Sequence, residues 1–270
     1  MTAEEMRVAA KVKYRNAHLR LDTIAARLDA AGFHTIAELA QLVGVSEMTV
    51  RRDVAVLAAD GRARLSHGGV HSTRILSAAH TLHERQARNW TAKDAIGRQC
   101  AAMIEQNDSV AIDAGSTALC ILAHLDRAFS GSIITHSVPA LVAAMEHGRA
   151  RIIALGGDVR RDSAAMIGPI AADTAARLRV RRFFLGAAAI DARGLYGVTD
   201  TERPTKQALM DIADQVVLLA DHTKFAHSAP ALIAPLAALD ILVTDRPPPR
   251  PIAEALAEAK VAVVLAGPPV

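Results

Sequence analysis

Apolar residues at positions 21, 24, 25 and 28 recur at helical spacing and predict an amphipathic helix over residues 19–31, stopped by Gly32. Thr35 begins a second helix, and Glu38 three residues later completes a capping-box pattern. That helix runs through Leu42 to a stop at Gly44. Ser46 is placed to cap a third, with Val50, Val54 and Leu57 on one face and Gly61 at its end. The short basic run RARLSHGGV at 62–70, with its Gly-Gly pair, predicts a two-stranded wing. Residues 1–18 read as a polar extension, 19–71 as a winged helix-turn-helix and 72–88 as a polar connector.

After residue 88 the rhythm changes. Short apolar runs fall at 109–114, 132–136, 151–155, 182–188, 215–220, 241–244 and 261–265. Helical patterns separate most of them, at 93–104, 117–125, 139–147, 169–178, 202–212 and 252–259. Strands alternating with helices predict a parallel sheet covered on both faces, so residues 89–270 read as a Rossmann-like α/β domain.

Sheets of this kind offer ligand-binding groups at the C-terminal ends of their strands. Here the first ends in Asp113, Ala114, Gly115, Ser116 and Thr117, and the second in Thr135, His136 and Ser137. The third ends in Gly156 and Gly157, and the fourth in Gly186 and Ala187, running on to Asp191. The fifth ends in Asp221, His222, Thr223 and Lys224, preceded by a helix that carries Lys206. Gly115 permits a tight turn, and the hydroxyls of Ser116 and Thr117 with the free N–H groups of a helix start suit an anion such as phosphate. Lys206 suits the same anion as a point charge. Singly these are weak signals, since GST occurs in many turns and a lysine is ordinarily a solvated group. Five polar or glycine endings in succession make Asp113, Gly115, Ser116, Thr117, Thr135, His136, Ser137, Gly156, Gly157, Asp191, Lys206, Asp221 and Lys224 the candidate effector site.

Three short helices with a glycine turn between the second and third form a helix-turn-helix, whose third helix enters the major groove by its N-terminal end. Glu47, Met48, Arg51 and Arg52 lie off the apolar face near that end, and arginine suits bidentate contact with guanine. The hydroxyls of Ser46 and Thr49 suit phosphate oxygens. On the wing, Arg62, Arg64 and His67 are placed for the flanking backbone. The pattern alone leaves open a plain three-helix bundle with two exposed arginines.

Composition narrows the classes. With 51% apolar residues and 270 in all, the chain can bury a large core, and with 3% aromatic residues that core is aliphatic. The same scarcity argues against base stacking on single strands. The net charge of +3 lies in the N-terminal quarter, where eleven basic residues face eight acidic ones among the first 75. That favours a polyanion there. There is no apolar run of membrane-spanning length and no signal-peptide centre. Cys100 and Cys120, without CxxC spacing, predict neither a disulfide framework nor a zinc site and fit a cytoplasmic protein. No cofactor or metal is expected.

The run VSEMTVRRDV, Gly61, Arg64 and the stretch His67-Gly68-Gly69-Val70 resemble the N-terminal domain of the DeoR family of bacterial regulators. DAGST, T-x-S, LGG, LGA, Lys206 ahead of ALM, and LADHTKF resemble that family's C-terminal domain in order and spacing. Arg85, Asn89 and Lys93 in HERQARNWTAKDAIG resemble the beginning of that domain. The resemblance covers about residues 19–245. It implies a recognition helix at 46–57 and a sensor domain similar to ribose-5-phosphate isomerase and glucosamine-6-phosphate deaminase, enzymes of open-chain sugar phosphates. It implies a regulator, a repressor of a carbohydrate-metabolism operon, released from double-stranded operator DNA by a phosphorylated sugar or related metabolite. Two-fold operators make a homodimer or homotetramer the expected state. Two departures bear on the effector: His136 stands where the family usually has Asn in T-N-S, and Ala189 where it usually has Gly in G-A-x-G-I. The alternative is an isomerase- or deaminase-like enzyme carrying a DNA-binding domain. Such isomerases place several acidic residues in the loop after the fourth strand; this chain has Asp191, which favours a sensor.

Overall fold

In the computed structural model, which describes residues 17–31, 33–66, 69–72 and 82–267, the chain divides into two compact units. The first takes in Met1–Leu76 and Phe225–Ser228, and the second Ser77–Lys224 and Ala229–Val270.

The first unit holds α1 (Ala17–Ala31), α2 (Ile36–Val43) and α3 (Glu47–Ala59). Local chemistry sets their ends. Thr35 Oγ1 accepts from the Glu38 N–H at 3.1 Å, and Glu38 Oε2 accepts from the Thr35 N–H at 2.9 Å, a complete capping box. Gly44 ends α2 at φ 66°, a left-handed conformation open to glycine at no steric cost. Ser46 Oγ accepts from the Thr49 N–H at 3.3 Å and starts α3. Ile24, Leu28, Leu39, Val43, Val50, Val54 and Leu57 are fully buried between the helices, and Val70 of the wing closes the cluster.

The wing has three strands rather than the expected two. β2 (Ala63–Ser66) and β3 (Gly69–Ser72) pair antiparallel, and β1 (Phe33–His34) adds to the far side of β3. Two residues are too few to leave a period-two signal. α1 also starts at Ala17, inside the stretch read as an extension. Residues 1–16, His67 and the connector stretch 73–81 lie outside the described residues.

The second unit opens with α4 (Leu82–Ala87), a helix where a connector was expected, and α5 (Trp90–Ala101). Then follow β4 (Ser109–Ile112), α6 (Ser116–His124), β5 (Ser132–Thr135), α7 (Val138–Ala144) and β6 (Arg151–Ala154). The hairpin β7 (Asp158–Arg160) with β8 (Ala165–Ile167) and the helix α8 (Pro169–Ala175) lead to β9 (Val180–Gly186). β10 (Ala189–Asp191), β11 (Gly194–Gly197) and α9 (Arg203–Asp211) precede β12 (Ala213–Leu219). β13 (Ala231–Ala234), β14 (Ile241–Thr244), α10 (Arg250–Glu258) and β15 (Ala262–Leu265) complete the unit.

Seven parallel strands form one sheet in the order β15-β14-β12-β9-β4-β5-β6. The chain winds from β4 outward to β6, then returns to β9 on the other side. The order therefore reverses between β4 and β9, where Ile112 pairs with Phe184. A crevice forms outside the strand ends at such a reversal, and ligands bind there. Val110, Ile112, Ile133, Phe184, Val217, Leu219 and Val243 are the buried sheet face against α5 and α6. A Cβ at Gly97 would lie 2.6 Å from Cys120 Cβ, so glycine lets α5 and α6 touch. The stretch after the fourth strand, read as a loop, is instead the β10–β11 hairpin, extended antiparallel by β13. Among the described residues no helix is long and apolar enough to cross a membrane.

Candidate functional site

α3 buries Val50, Asp53, Val54 and Leu57 and leaves Glu47, Met48, Arg51, Arg52, Ala55 and Val56 exposed. The N-terminal half thus presents two arginines and a methionine. Ser46 and Thr49 hold each other, Oγ to Oγ1 at 3.0 Å, at the helix start. Arg62 hydrogen-bonds Asp22 Oδ1 of α1 at 3.3 Å and stays largely exposed. Arg64 lies on β2. The third charged residue of the RRD run is structural. Asp53 takes a bidentate grip from Arg20 of α1, Nε to Oδ2 at 2.5 Å and Nη2 to Oδ1 at 2.9 Å, with both side chains buried. Sequence reasoning missed this pair because Arg20 reads as an ordinary polar position of an amphipathic helix.

In the second unit the reversal between β4 and β9 gathers one polar cluster. Asp113, directly after β4, is buried, and its Oδ2 accepts from Lys206 Nζ at 2.6 Å and from the Gly186 N–H at 2.9 Å. Lys206, on the first turns of α9, is itself buried and has Glu202 Oε2 4.0 Å away. His136 is fully buried, with Nε2 3.2 Å from Asp113 Oδ1 but off the direction of a hydrogen bond. His136 Nε2 and Asp113 Oδ1 thus meet as an ion-pair contact, and neither they nor His136 Nδ1 and Thr205 Oγ1 have a hydrogen-bond partner. Burial penalises the Asp113 carboxylate; Lys206 and then His136 more than offset this and hold the carboxyl below its usual range.

A second cluster follows β12, two strands from β4 and so about 10 Å away at the usual strand spacing. Asp221 is buried, and its Oδ1 accepts from Asn89 Nδ2 and the Thr223 N–H, both at 3.1 Å, while Oδ2 has no partner. Lys93 of α5 is 3% exposed, with Nζ donating to the Arg85 carbonyl. Burial pushes the Lys93 ammonium down to about 8, Lys224 repels it further, and Asp221 pulls the other way. Burial likewise lowers Lys224, opposed by Asp221 and reinforced by Arg85 and Arg88. Burial works against ionised Asp221 too, but Lys224, the Thr223 hydrogen bonds and Lys93 keep its carboxyl low. Several cations thus surround one carboxylate. Ser116 and Thr117 are buried at the start of α6, whose N-cap Gly115 provides no side-chain cap.

The other expected residues have different surroundings. Thr135 Oγ1 donates to the Ile112 carbonyl at 2.7 Å, and Ser137 Oγ caps α7 by accepting from the Ala140 N–H at 3.2 Å. Asp191 ends β10, just before the turn to β11, and accepts from Tyr196 Oη at 3.1 Å and the Arg193 N–H at 2.8 Å. Gly156 and Gly157 turn the chain after β6, and a Cβ at Gly157 would lie 2.4 Å from the Ile167 carbonyl oxygen. Sequence reasoning left Thr205 and Glu202 out of the site, since nothing local marks them, and read Gly186 as a strand end without a role for its N–H. Separately, a mainly apolar groove of about 640 Å³ runs between α6 and α7, lined by Leu119, Leu122, Val138, Pro139 and Val142.

A winged helix-turn-helix with an exposed recognition helix, and in the same chain a doubly wound unit with a polar crevice, define a DNA-binding transcriptional regulator with a sensor domain. The DeoR-like helix-turn-helix domain matches residues 20–75 and the DeoR C terminal sensor domain matches residues 88–246. The chain belongs to the DeoR family. It is 30% identical over 252 residues to the HTH-type transcriptional repressor CsqR of Escherichia coli (strain K12), covering 91% of this chain and 94% of the relative. The uncharacterized HTH-type transcriptional regulator YgbI of the same organism is 29% identical over 87% of this chain and 92% of its own. The Glycerol-3-phosphate regulon repressor of that organism is 28% identical over 84% and 90%.

Proposed function

We propose that this chain represses a carbohydrate-metabolism operon and is released from its operator when a phosphorylated sugar or related metabolite occupies the crevice of the second unit. The observation that carries the reading is the pair of cations beside Asp221, Lys93 and Lys224, with Arg85 next to both lysines, two strands along from β4 and the uncapped start of α6 that follows it. An excess of buried positive charge is costly without a counter-anion. A phosphate group supplies one, with Ser116 and Thr117 as further donors. The atoms of Asp113, His136 and Thr205 that lack a hydrogen bond then meet the hydroxyl or carbonyl oxygens of the carbon chain. The Glycerol-3-phosphate regulon repressor and the Lactose phosphotransferase system repressor of Lactococcus lactis subsp. lactis, both relatives by sequence, favour an effector of this class.

In this reading Ser46, Thr49, Arg62, Arg64 and His67 hold the DNA backbone, while Glu47, Met48, Arg51 and Arg52 face the bases. The protein acts in the cytoplasm as at least a dimer; exposed Trp90, Val142 and Met145 beside the α6–α7 groove supply an apolar contact face. A thermal-shift panel of phosphorylated sugars, polyols and aldonates tests the effector class. A ligand at 100 times its dissociation constant adds about 2.7 kcal/mol, and the same ligand must release operator DNA. No stabilising phosphate ester in the panel, or stabilisation without release, overturns the reading. Glu202 and Asp113 flanking Lys206 favour testing a second reading, an isomerase-like enzyme. Turnover of a pentose or hexosamine phosphate by the pure chain would establish it; none is expected.

A further inference from the structure

Met48 is the most exposed residue of its kind on the recognition helix: a large apolar side chain, 63% exposed, within the first turn of α3. At ~100° per residue it falls ~180° from the centre of the buried face made by Val50, Asp53, Val54 and Leu57. Arg51 and Arg52 lie one turn on, ~60° to one side of it and ~40° to the other. Ala55, two turns on and nearly in line with it, is exposed and has only a methyl group, which lets the helix approach the groove floor closely. The outermost line of the helix is therefore apolar, and positive charge straddles it.

We propose that Met48 reads the C5-methyl group of a thymine in the operator major groove, at a base step flanked by the guanines that Arg51 and Arg52 address. The inference rests on α3 being the DNA-reading helix. In the major groove only thymine presents a methyl group, and apolar contact is how proteins recognise it. A methionine with three rotatable bonds covers that methyl without demanding one rotamer. Its exposure in the free protein becomes burial in the complex. Charge complementarity with the phosphates holds the helix in place, so the apolar contact adds discrimination rather than bulk affinity.

The test uses the full-length chain. A randomised duplex library is enriched for bound sequences, and each thymine of the best duplex is replaced in turn by deoxyuridine, which removes only the methyl group. One thymine per half-site, next to a guanine or its paired cytosine, is expected to lower affinity about fourfold when replaced, the equivalent of about 0.8 kcal/mol for one buried methyl. Met48→Ala weakens the parent duplex to a similar degree and no longer distinguishes thymine from deoxyuridine. Met48→Gln, nearly the same length but polar, behaves alike, and Met48→Leu keeps the discrimination. Melting curves of the three variants match the parent, since Met48 supports no core contact. A flat deoxyuridine scan, or undiminished discrimination in Met48→Ala and Met48→Gln, overturns the proposal while leaving DNA binding by α3 intact. Failure to enrich any duplex overturns both.

Discussion

Raising the pH from 7 to 9 is expected to weaken a phosphate ester's hold on the second unit by about tenfold, through one residue. Lys93 is 3% exposed and surrounded by other cations, so its ammonium titrates at about 8 in the free chain rather than near 10.5. At pH 7 about ten copies in eleven carry the charge; at pH 9 about one in eleven does. Where the charged form is the one that binds, affinity falls about tenfold, or ~1.4 kcal/mol. The ligand does not contribute, because a phosphate ester's second ionisation, near pH 6, is nearly complete across this window. Lys224 is depressed in the same direction by burial, so it does not oppose the trend. Binding also takes up protons, about half a proton per ligand at pH 8 on Lys93 alone.

Calorimetry at pH 7, 8 and 9, in buffers of different ionisation enthalpy, reads both affinity and proton uptake. The probe is the tightest phosphate ester from the panel, with inorganic phosphate as the minimal ligand. Lys93→Met should bind weakly at every pH with a flatter profile. A flat wild-type profile, or an unchanged slope in Lys93→Met, would refute the reasoning. Stability supplies an independent check of sign. The folded pKa lies below the unfolded one, so between about pH 8 and 10.5 the unfolded chain binds more protons and stability rises with pH. Below pH 8 the full penalty of burying the charge is present, and Lys93→Met should stabilise the free protein at pH 7 by on the order of 3 kcal/mol. Loss of binding at pH 9 therefore cannot be put down to unfolding by this group.

Arg51→Ala and Arg52→Ala should each weaken operator binding by roughly 1–3 kcal/mol with unchanged melting curves; unchanged affinity in mobility-shift titrations would remove α3 from the interface. Asp53→Ala strands a buried guanidinium and should destabilise the first unit by ~3–5 kcal/mol in denaturant titrations, whereas an unshifted midpoint would mean the Arg20 link is idle. Val142→Asp should move the elution of the protein toward a monomer on sizing, and an unmoved peak would place the contact between copies away from the α6–α7 face.

The parts legible in the sequence are those whose physics is local. Thr35 with Glu38, Gly44 and Ser46 set the helix ends of the first unit through bonds spanning three residues or a single backbone angle. The alternation of apolar runs with helical stretches declares the doubly wound sheet because the inner strands β4, β5, β9, β12 and β14 are largely buried, while the edge strands β6 and β15 stay partly exposed. The pieces missed are too short to repeat a pattern: β1 has two residues, and β7, β8 and β10 have three each. α4 has six residues and no cap signal in the described chain.

The site divides along the same line. DAGST and ADHTK are contiguous and stand out, whereas their partners are made by topology. Asp113 meets Lys206 across 93 residues, and Arg20 meets Asp53 across 33. The first meeting follows from strand order: β4 and β9 are neighbours only because the chain reverses there, and that places Gly186 and the helix carrying Lys206 over the end of β4. Asp191 went the other way. It lies five residues beyond the end of β9, where the chain has already entered the β10–β11 hairpin, so its carboxylate serves Tyr196 and Arg193. A residue at a strand's C-terminal end joins the crevice when the backbone continues into a helix over the sheet, as it does after β4 and β5. Where the backbone turns back as a ribbon, as after β9, the carboxylate is taken up by the ribbon's own groups. That rule, rather than residue type, separates Asp113 from Asp191. It also explains why His136, directly after β5, is fully buried beside Asp113 although nothing in its own neighbourhood predicts the contact.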